Sequence, residues 1–214
     1  MNLVPPAPPP SRLPDGFAVR LDPRTRRIDD GGTLLGGSPL RLLRLSARAR
    51  ILLDTERLVV RDATSAALAG RLLDTGIAHP DLPPVPVPAV TVVIPVRDRS
   101  AGLARLLSAL RADPATRRLP VVVVDDGSID AAAVAALAAA AGATMLRHET
   151  ARGPGAARNA GLRTATTDAV AFLDSDCVPV AGWLGALAPH LTDPRLALVA
   201  PRIVAWEGGR RPTR

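Results

Sequence analysis

Two aspartates separated by one residue, Asp174 and Asp176, directly follow an apolar segment at 170–173 that is expected to form a buried strand. Carboxylates this close repel each other, and burying them without a counter-charge costs free energy. A hard divalent cation such as Mg²⁺ or Mn²⁺ relieves both effects, because it takes oxygen ligands from carboxylates and from substrate phosphates. The spacing therefore predicts a cation site, with a solvated turn or a helix cap as the alternative.

A second acidic pair, Asp125 and Asp126, follows four valines at 121–124 and precedes Gly127. One carboxylate could cap the next helix, and the other could lie at the edge of the sheet. There it would accept a hydrogen bond from a ribose hydroxyl or from the imide N–H of a uracil ring. A plain Asp-Asp-Gly-Ser turn is the alternative.

A glycine-rich segment at 153–159 combines the backbone N–H groups of an expected helix start with the guanidinium of Arg158. Both features suit a diphosphate, and an ordinary Gly/Pro loop is the alternative. Gly153 and Gly155, followed by Asp174 about 20 residues later, also imitate a dinucleotide-binding fingerprint. That interpretation fails at the third glycine position, where the bulky Arg158 replaces a residue that permits close helix–strand packing.

The pattern Asp174-x-Asp176-x-Val178 is similar to the nucleophile and acid pair of haloacid-dehalogenase-type phosphatases. Such enzymes also need a lysine further along the chain. All 27 basic residues of this sequence are arginines, so we do not expect a phosphatase.

The elements that would position these groups alternate regularly between residues 89 and 214. Apolar strands are predicted at 90–95, 121–124, 144–147, 170–173 and 196–204. Helices are predicted from Ser100 onward, where Leu103, Leu106, Leu107 and Leu110 have helical spacing, and at about 134–141, 155–164 and 182–190. Apolar strands alternating with helices indicate an α/β fold with a mostly parallel sheet covered on both faces. Ligands of such sheets bind at the carboxyl ends of the strands, where the acidic pairs lie.

The N-terminal part is framed by two proline-rich segments, a leader at 1–14 and a linker at 80–88. Between them, residues 15–79 contain strand-like segments at 17–21, 25–28, 33–35 and 58–60. A helix is predicted to begin at Ser38-Pro39 and a second one to cover 64–73. The first helix would bury Leu40, Leu43, Ala47 and Ile51 and would expose Arg41, Arg44 and Arg48. This order predicts a small α+β, winged-helix-like domain.

Composition excludes several classes of protein. The single cysteine, Cys177, rules out a disulfide scaffold and fits a cytoplasmic location. No apolar run approaches the ~20 residues that span a bilayer, so no membrane span is expected. The net charge of +7 would suit nucleic acid or a phosphorylated small molecule, but 2% aromatic residues leave few stacking platforms for single strands. We expect no nucleic-acid partner; a DNA-binding winged helix that uses the three exposed arginines is the alternative.

Four segments, in this order and at this spacing, resemble family 2 glycosyltransferases of the GT-A fold. They are VTVVIPVRDR at 90–99, VVVVDDGS at 121–128, GPGAARNAG at 153–161 and AFLDSD at 171–176. The resemblance implies inverting, metal-dependent transfer of a sugar from a UDP-sugar. It implies that the donor contacts Pro95, Val96, Arg97, Asp126, Arg158 and Asp174. It also implies that Asp174 and Asp176 bind the divalent cation, Mg²⁺ or Mn²⁺.

Three further segments, at 14–19, 34–39 and 198–204, resemble glycosyltransferases of the mycofactocin system. That resemblance implies a small N-terminal domain ahead of the catalytic domain at 89–214. It further implies glucose as the sugar and the peptide-derived redox cofactor mycofactocin as the acceptor. Enzymes of this group are membrane-associated through C-terminal segments, which would place the chain at the cytoplasmic face of the membrane.

The resemblance also implies an acidic general base that takes a proton from the attacking hydroxyl. Glu207 is the only acidic residue after Asp193, so this base is expected beyond residue 214. The chain is therefore expected to be the donor-binding half of an incomplete, C-terminally truncated GT-A domain, binding UDP but transferring sugar more slowly than ~1 s⁻¹. The alternatives are a non-catalytic module that binds a nucleotide sugar or a peptide, and a Rossmann-type nucleotide-binding domain.

Overall fold

The computed structural model of the protein describes residues 12–193 and 195–205. They form two compact units: one contains residues 86–186, and the other combines 12–85 with the described residues from 187 onward. Most of the proline-rich leader and the tail that contains Glu207 lie outside the described residues. The boundaries of the four predicted segments, 1–14, 15–79, 80–88 and 89–214, stay predictions. Among the described residues, no helix has the length and apolar character needed to cross a membrane.

The smaller unit contains two antiparallel sheets and two helices within residues 12–85. Its elements are β1 (Ala18–Leu21), β2 (Arg26–Ile28), β3 (Thr33–Gly36), β4 (Arg41–Arg44), α1 (Ala47–Leu52), β5 (Arg57–Val59), α2 (Ala63–Asp74) and β6 (Ala78–Pro80). The strand orders are β5-β1-β6 and β2-β3-β4. Val19, Leu34 and Leu72 bring β1, β3 and α2 into one buried core. The unit is α+β as expected, while its winged-helix assignment stays a prediction.

The prediction of a helix starting at Ser38-Pro39 is wrong. Residues 41–44 form β4, which pairs with β3 so that Leu43 lies opposite Leu34. Successive side chains of a strand point to opposite faces, so Leu43 is buried while Leu42 is exposed. The run of leucines and arginines thus follows a period of two rather than 3.6.

The helix of this region begins later, at Ala47. The hydroxyl of Ser46 caps it by accepting a hydrogen bond from the Ala49 N–H at 3.2 Å. Two residues of the predicted apolar face, Leu40 and Ile51, are 73% and 77% exposed. Ser38 and Ser46 could each cap a helix, and Ser46 is the one that does so.

The larger unit alternates strands and helices as predicted. Its elements are β7 (Val90–Val96), α3 (Ser100–Ala112), β8 (Val121–Asp126), α4 (Ala131–Ala140), β9 (Thr144–His148), α5 (Pro154–Thr164), β10 (Ala169–Phe172) and α6 (Trp183–Leu187). In the chain, a 3₁₀ helix at Ala188–Thr192 follows α6. The four strands are parallel, in the order β10-β7-β8-β9.

Side chains on the two faces of this sheet belong to separate cores. Ile94 of β7 packs with Leu103 and Leu106 of α3, whereas Val93 packs with Ala157 of α5. Helices therefore cover both faces, and the predicted α/β class with a parallel sheet is confirmed. The strand order reverses at β7, because β8 and β9 lie on one side of it and β10 lies on the other. In open α/β sheets, such a switch point is where ligands bind, outside the carboxyl ends of the strands.

The strand predicted at 196–204 is wrong. The described residues 195–205 contain no strand, and Leu198 and Ile203 are exposed. An apolar segment becomes a strand only where a neighbouring strand takes up its backbone N–H and C=O groups. No described strand pairs with this segment.

Close packing of α5 on the sheet depends on a glycine. A Cβ atom at Gly161 would overlap the side chain of Val93, and it would also come within 3.3 Å of Val124 Cγ2. A Cβ atom at Gly155, in the first turn of the same helix, would meet nothing within 4 Å. The helix therefore rests directly on β7 and β8 at its second half.

Replacing Gly161 by alanine should lower the free energy of unfolding by about 1–3 kcal/mol, because the added methyl group overpacks this contact. The matched variant Gly155→Ala lies in the same helix with open space around it, and should change stability by less than about 1 kcal/mol. Urea denaturation followed by circular dichroism measures both. Equal effects of the two variants would contradict the proposed close contact.

Candidate functional site

The strands of the larger unit bring the predicted site residues to one edge of the sheet. β7 ends at Val96, β8 ends at Asp126, and Asp174 lies two residues after β10. These ends share an edge because the strands are parallel, and β7 and β10 flank the switch point. We call this region the carboxyl edge; it comprises residues 96–99, 125–129, 147–153 and 173–177.

Asp126 is buried at the carboxyl edge, and its carboxylate accepts hydrogen bonds from three donors. Oδ1 accepts from His148 Nδ1 at 2.7 Å and from the Arg152 N–H at 2.9 Å. Oδ2 accepts from the Gly153 N–H at 2.7 Å. Burial raises the pKa of Asp126, but the three hydrogen bonds together outweigh it and hold the pKa below its ordinary value. An ionised Asp126 thus ties the β9–α5 connection to the end of β8, and its contact with a nucleotide stays a prediction.

Asp125, its neighbour, is fully buried and closes the turn after β8. Its Oδ1 accepts a hydrogen bond from the Ser128 N–H at 3.0 Å, and its Oδ2 pairs with the guanidinium of Arg147 on β9. The helix cap that we expected from one member of this acidic pair comes instead from Asp130, which accepts from the Ala133 N–H at 2.9 Å. Asp125 is therefore occupied by contacts within the protein.

The connection after β7 is fixed to the connection after β8. Asp98 has a left-handed backbone, with φ of 54°. Its N–H donates to Ser128 Oγ at 3.0 Å, and its Oδ1 accepts from the Ile129 N–H at 2.8 Å. These two hydrogen bonds set the direction in which the chain enters α3.

Asp174 and Asp176 differ from the buried pair because both are half exposed, at 52% and 51% of their side chains. Each carboxylate is paired with one arginine. Arg158 Nη2 of α5 lies 2.5 Å from Asp174 Oδ1, and Arg99 Nη1 lies 3.0 Å from Asp176 Oδ2. The structure therefore brings together the predicted Asp174, Asp176 and Arg158, and adds Arg99.

The loop that carries these two aspartates lies against the first turn of α3. A Cβ atom at Gly102 would come within 2.7 Å of the Ser175 carbonyl oxygen, so the glycine permits the contact. Ser175 is buried, whereas the aspartates on either side of it are not. The loop backbone is held in place while both carboxylates face solvent.

Three further predicted residues lie at the end of β7 and the start of the loop that follows. Pro95 and Val96 are buried within the sheet, and Val96 packs into the core with α3. A ligand can reach them only through their backbone or the edge of the side chain. Arg97 is exposed, with Nε 3.6 Å from Asp98 Oδ2. Their contacts with a donor stay predictions.

The start of α5 offers backbone donors beside the acidic loop. Gly153 precedes the helix with φ of 89°, and Pro154 occupies its first turn. Gly153 has no side chain to cap the helix, so the first N–H groups keep their capacity for an outside acceptor. Arg158 lies one turn further along.

A thiol nucleophile is disfavoured at this edge. Burial, together with the charges of Asp174 and Asp176, raises the pKa of Cys177. The thiol therefore stays protonated near neutral pH.

The donor set at Asp174 and Asp176 fits a hard cation only in part. Two carboxylates with exposed oxygens match the protein share of a Mg²⁺ or Mn²⁺ site that takes its other ligands from phosphate and water. Within the described ranges, no cluster of three or more His, Cys, Asp or Glu side chains could hold a metal ion. The other aspartates of the edge point into their own hydrogen bonds.

Three residues that pair with aspartates at this edge were not predicted from the sequence: Arg99, Arg147 and His148. Their partners lie 77, 22 and 22 residues away in the chain, so no local spacing signals the pairs. Only the parallel register, which places Asp125 beside Arg147 and Asp126 beside His148, brings the β8 and β9 partners together.

A family model described as Glycosyl transferase family 2 matches residues 91–214. The chain is 52% identical over 206 residues to a "Pre-mycofactocin glycosyltransferase" of Mycobacterium tuberculosis, covering 94% of this chain and 42% of that protein. It is 35% identical over 101 residues to the "Succinoglycan biosynthesis protein ExoU" of Rhizobium meliloti, covering 46% of this chain and 29% of that one. The chain thus spans well under half the length of these relatives.

Solved structures show a weaker likeness. A mannosyltransferase from Pyrobaculum calidifontis, in complex with GDP-Man and Mn²⁺, is 29% identical with a TM-score of 0.46, and the match covers 51% of this chain and 34% of that one. Staphylococcus aureus TarS in complex with UDP-GlcNAc is 26% identical with a TM-score of 0.43, over 48% and 31% of the two chains.

Replacing Asp126 by asparagine should lower the free energy of unfolding by about 2–3 kcal/mol at pH 7, because the amide loses charged acceptors for three donors. The pKa of Asp126 is lower in the folded state, so its stabilisation is complete above the unfolded pKa of about 3.9 and is lost as the pH falls through the folded value. The gap between the two proteins should therefore narrow below about pH 4.

Urea denaturation at pH 7 and at several acid pH values measures this gap. Asp168→Asn is the control, because Asp168 is an exposed carboxylate of the same unit and its loss should change stability by less than about 0.5 kcal/mol. A gap that stays constant down to about pH 3 would show that the ionised carboxylate is not the source of the stabilisation.

Proposed function

Because the chain belongs to glycosyl transferase family 2, we propose that it binds a nucleotide-diphosphate sugar at the carboxyl edge and serves the transfer of that sugar. The observation that carries the proposal is the pair of half-exposed carboxylates, Asp174 and Asp176, beside the β7–β10 switch point. The other aspartates of the edge accept hydrogen bonds from backbone N–H groups, whereas in the described part of the chain these two pair only with arginine side chains and are the ones we assign to a cation.

We assign roles from the placement of each group. Asp174 and Asp176 would hold Mg²⁺ or Mn²⁺, which when bound supplies positive charge to the diphosphate leaving group. The N–H groups at the start of α5, together with Arg158, would bind the diphosphate oxygens. Arg97 and the backbone of Pro95 and Val96, at the end of β7, would contact the nucleoside.

Asp126 has a narrower role in this proposal. Its three protein donors leave one lone-pair position of Oδ2 for an N–H or O–H of the nucleoside. We infer that it both shapes the β9–α5 connection and offers this acceptor to the base or the ribose. No general base is assigned among the described residues.

For the donor we propose a UDP-sugar, with glucose as the sugar. For the acceptor we propose the peptide-derived precursor of mycofactocin, because a relative with 52% identity across 94% of this chain bears the name pre-mycofactocin glycosyltransferase. Inverting transfer and a cytoplasmic location complete the proposal.

Titration calorimetry with UDP and UDP-glucose tests the donor site directly. We expect binding in the presence of Mn²⁺ and its loss when EDTA is added, because the cation links the carboxylates to the diphosphate. Asp176→Asn should weaken this binding by about 10-fold or more, since even outer-shell partners of a metal ligand contribute that much. Binding of GDP as tightly as UDP would contradict uracil as the base of the proposed donor nucleotide.

Asp168→Asn again serves as the control, because it removes an exposed carboxylate that lies in the loop before β10, at the opposite edge of the sheet. It should leave UDP binding unchanged. If folded wild-type chain binds neither nucleotide with Mn²⁺, the carboxylates are turn residues and the donor-site proposal is wrong.

A further inference from the structure

Both carboxylates of the acidic loop already have a cationic partner within the protein. Arg99 lies 3.0 Å from Asp176, and Arg158 lies 2.5 Å from Asp174. These are the groups that the proposed function assigns to a divalent cation. A cation that takes Asp174 Oδ1 or Asp176 Oδ2 must therefore displace the guanidinium group paired with that oxygen.

The backbone of Arg99 is fixed from two sides. Asp98, just before it, is anchored by its N–H to Ser128 Oγ and by its carboxylate to the Ile129 N–H. Arg99 then stands at the start of α3, whose first turn contacts the Ser175 carbonyl through Gly102. The backbone of Arg99 and the acidic loop thus lie on two segments that pack against each other.

The side chain of Arg99 is exposed although its backbone is anchored. It is 63% exposed, and within residues 12–193 and 195–205 its one hydrogen bond goes to Asp176 Oδ2. Exposed ion pairs are weak and exchange readily, because water and salt compete for both charges. Release of Asp176 by Arg99 therefore costs little.

Resting on the proposed donor site, we propose that Arg99 is an exchangeable counter-ion: it neutralises Asp176 when no cation is bound and turns to the donor diphosphate once a cation has taken Asp176. No bond is made or broken in this exchange. The guanidinium passes from a carboxylate to a phosphate oxygen, two acceptors that match its planar donors equally well.

This role predicts effects of opposite sign for a single substitution. Without nucleotide, Arg99 competes with the cation and repels it, so its removal should tighten cation binding. With nucleotide, Arg99 contributes a charged hydrogen bond to the diphosphate, so its removal should weaken binding. A purely structural role would move both affinities in the same direction.

The test compares the wild-type chain with Arg99→Gln. Binding of Mn²⁺ alone, followed by electron paramagnetic resonance, should become about 2- to 5-fold tighter, the range expected for release from an exposed ion pair. Binding of UDP at saturating Mn²⁺, followed by calorimetry, should become about 5-fold or more weaker. Uridine, which lacks phosphate, should bind both proteins alike.

Arg118→Gln is the matched control, because Arg118 is an exposed arginine of the same unit at the opposite edge, just before β8. It removes the same charge and should alter neither affinity. Arg99→Lys keeps the charge without the planar donors, and should retain most of the competition with Mn²⁺ while losing part of the UDP affinity.

The outcomes separate this inference from the proposed function. If the wild-type chain binds UDP with Mn²⁺ but Arg99→Gln leaves both affinities unchanged, or lowers both, the exchange is overturned and the donor site stands. If the folded wild-type chain binds neither Mn²⁺ nor UDP, the donor site and the exchange fail together.

Discussion

Negative charge gathered at one edge of a parallel sheet is the constraint on which the rest of this unit depends. β8 ends in Asp125 and Asp126, while Asp98 and Asp174 each lie two residues after the ends of β7 and β10. The shared strand direction brings these ends together. Carboxylates at such spacing repel one another unless each receives a counter-charge or hydrogen-bond donors. The loops, the α5 start and the arginines of the edge are arranged so that each described aspartate there has at least one partner.

Two different solutions divide the aspartates into two groups. The buried pair, Asp125 and Asp126, is satisfied by backbone N–H groups, Arg147 and His148, whose geometry is set by the β8–β9 register. Breaking these contacts costs free energy, because a buried carboxylate without hydrogen-bond donors strongly destabilises the fold. Asp174 and Asp176 are instead paired with arginine side chains, the half-buried Arg158 and the exposed Arg99. The first group builds the edge, and the second can exchange partners.

The sequence alone predicts the strands and helices of the larger unit, where the pattern of apolar residues is long and regular. Four strands and the helices between them were predicted to within a few residues. For β7 and β8 the reason is that a strand buried on both faces admits little besides apolar, mostly β-branched residues. β9 and β10 are only partly buried, so the burial expected for the strand at 170–173 is wrong. Short amphipathic segments are harder to predict. The pattern of residues 40–45 fits either a helix or a strand, and a strand forms because this segment pairs with β3. The segment at 196–204 has strand-forming residues and no described partner. In the site, Asp174 and Asp176 were visible from their spacing, whereas Arg99 and His148 were found only through contacts between distant segments.

The register of α5 explains how one helix serves both packing and chemistry. Its sheet-facing positions are Ala157 and Gly161, four residues apart, and the close approach to Val93 is made at Gly161. A dinucleotide-binding fingerprint would need its small residue one turn earlier, at position 158. Because the close contact is made at Gly161, position 158 does not lie between the helix and the sheet. It can therefore carry a long side chain. That side chain is Arg158, and it reaches the acidic loop after β10. The residue that excludes the dinucleotide-binding fingerprint therefore places its guanidinium beside Asp174, at the site that we propose for the diphosphate.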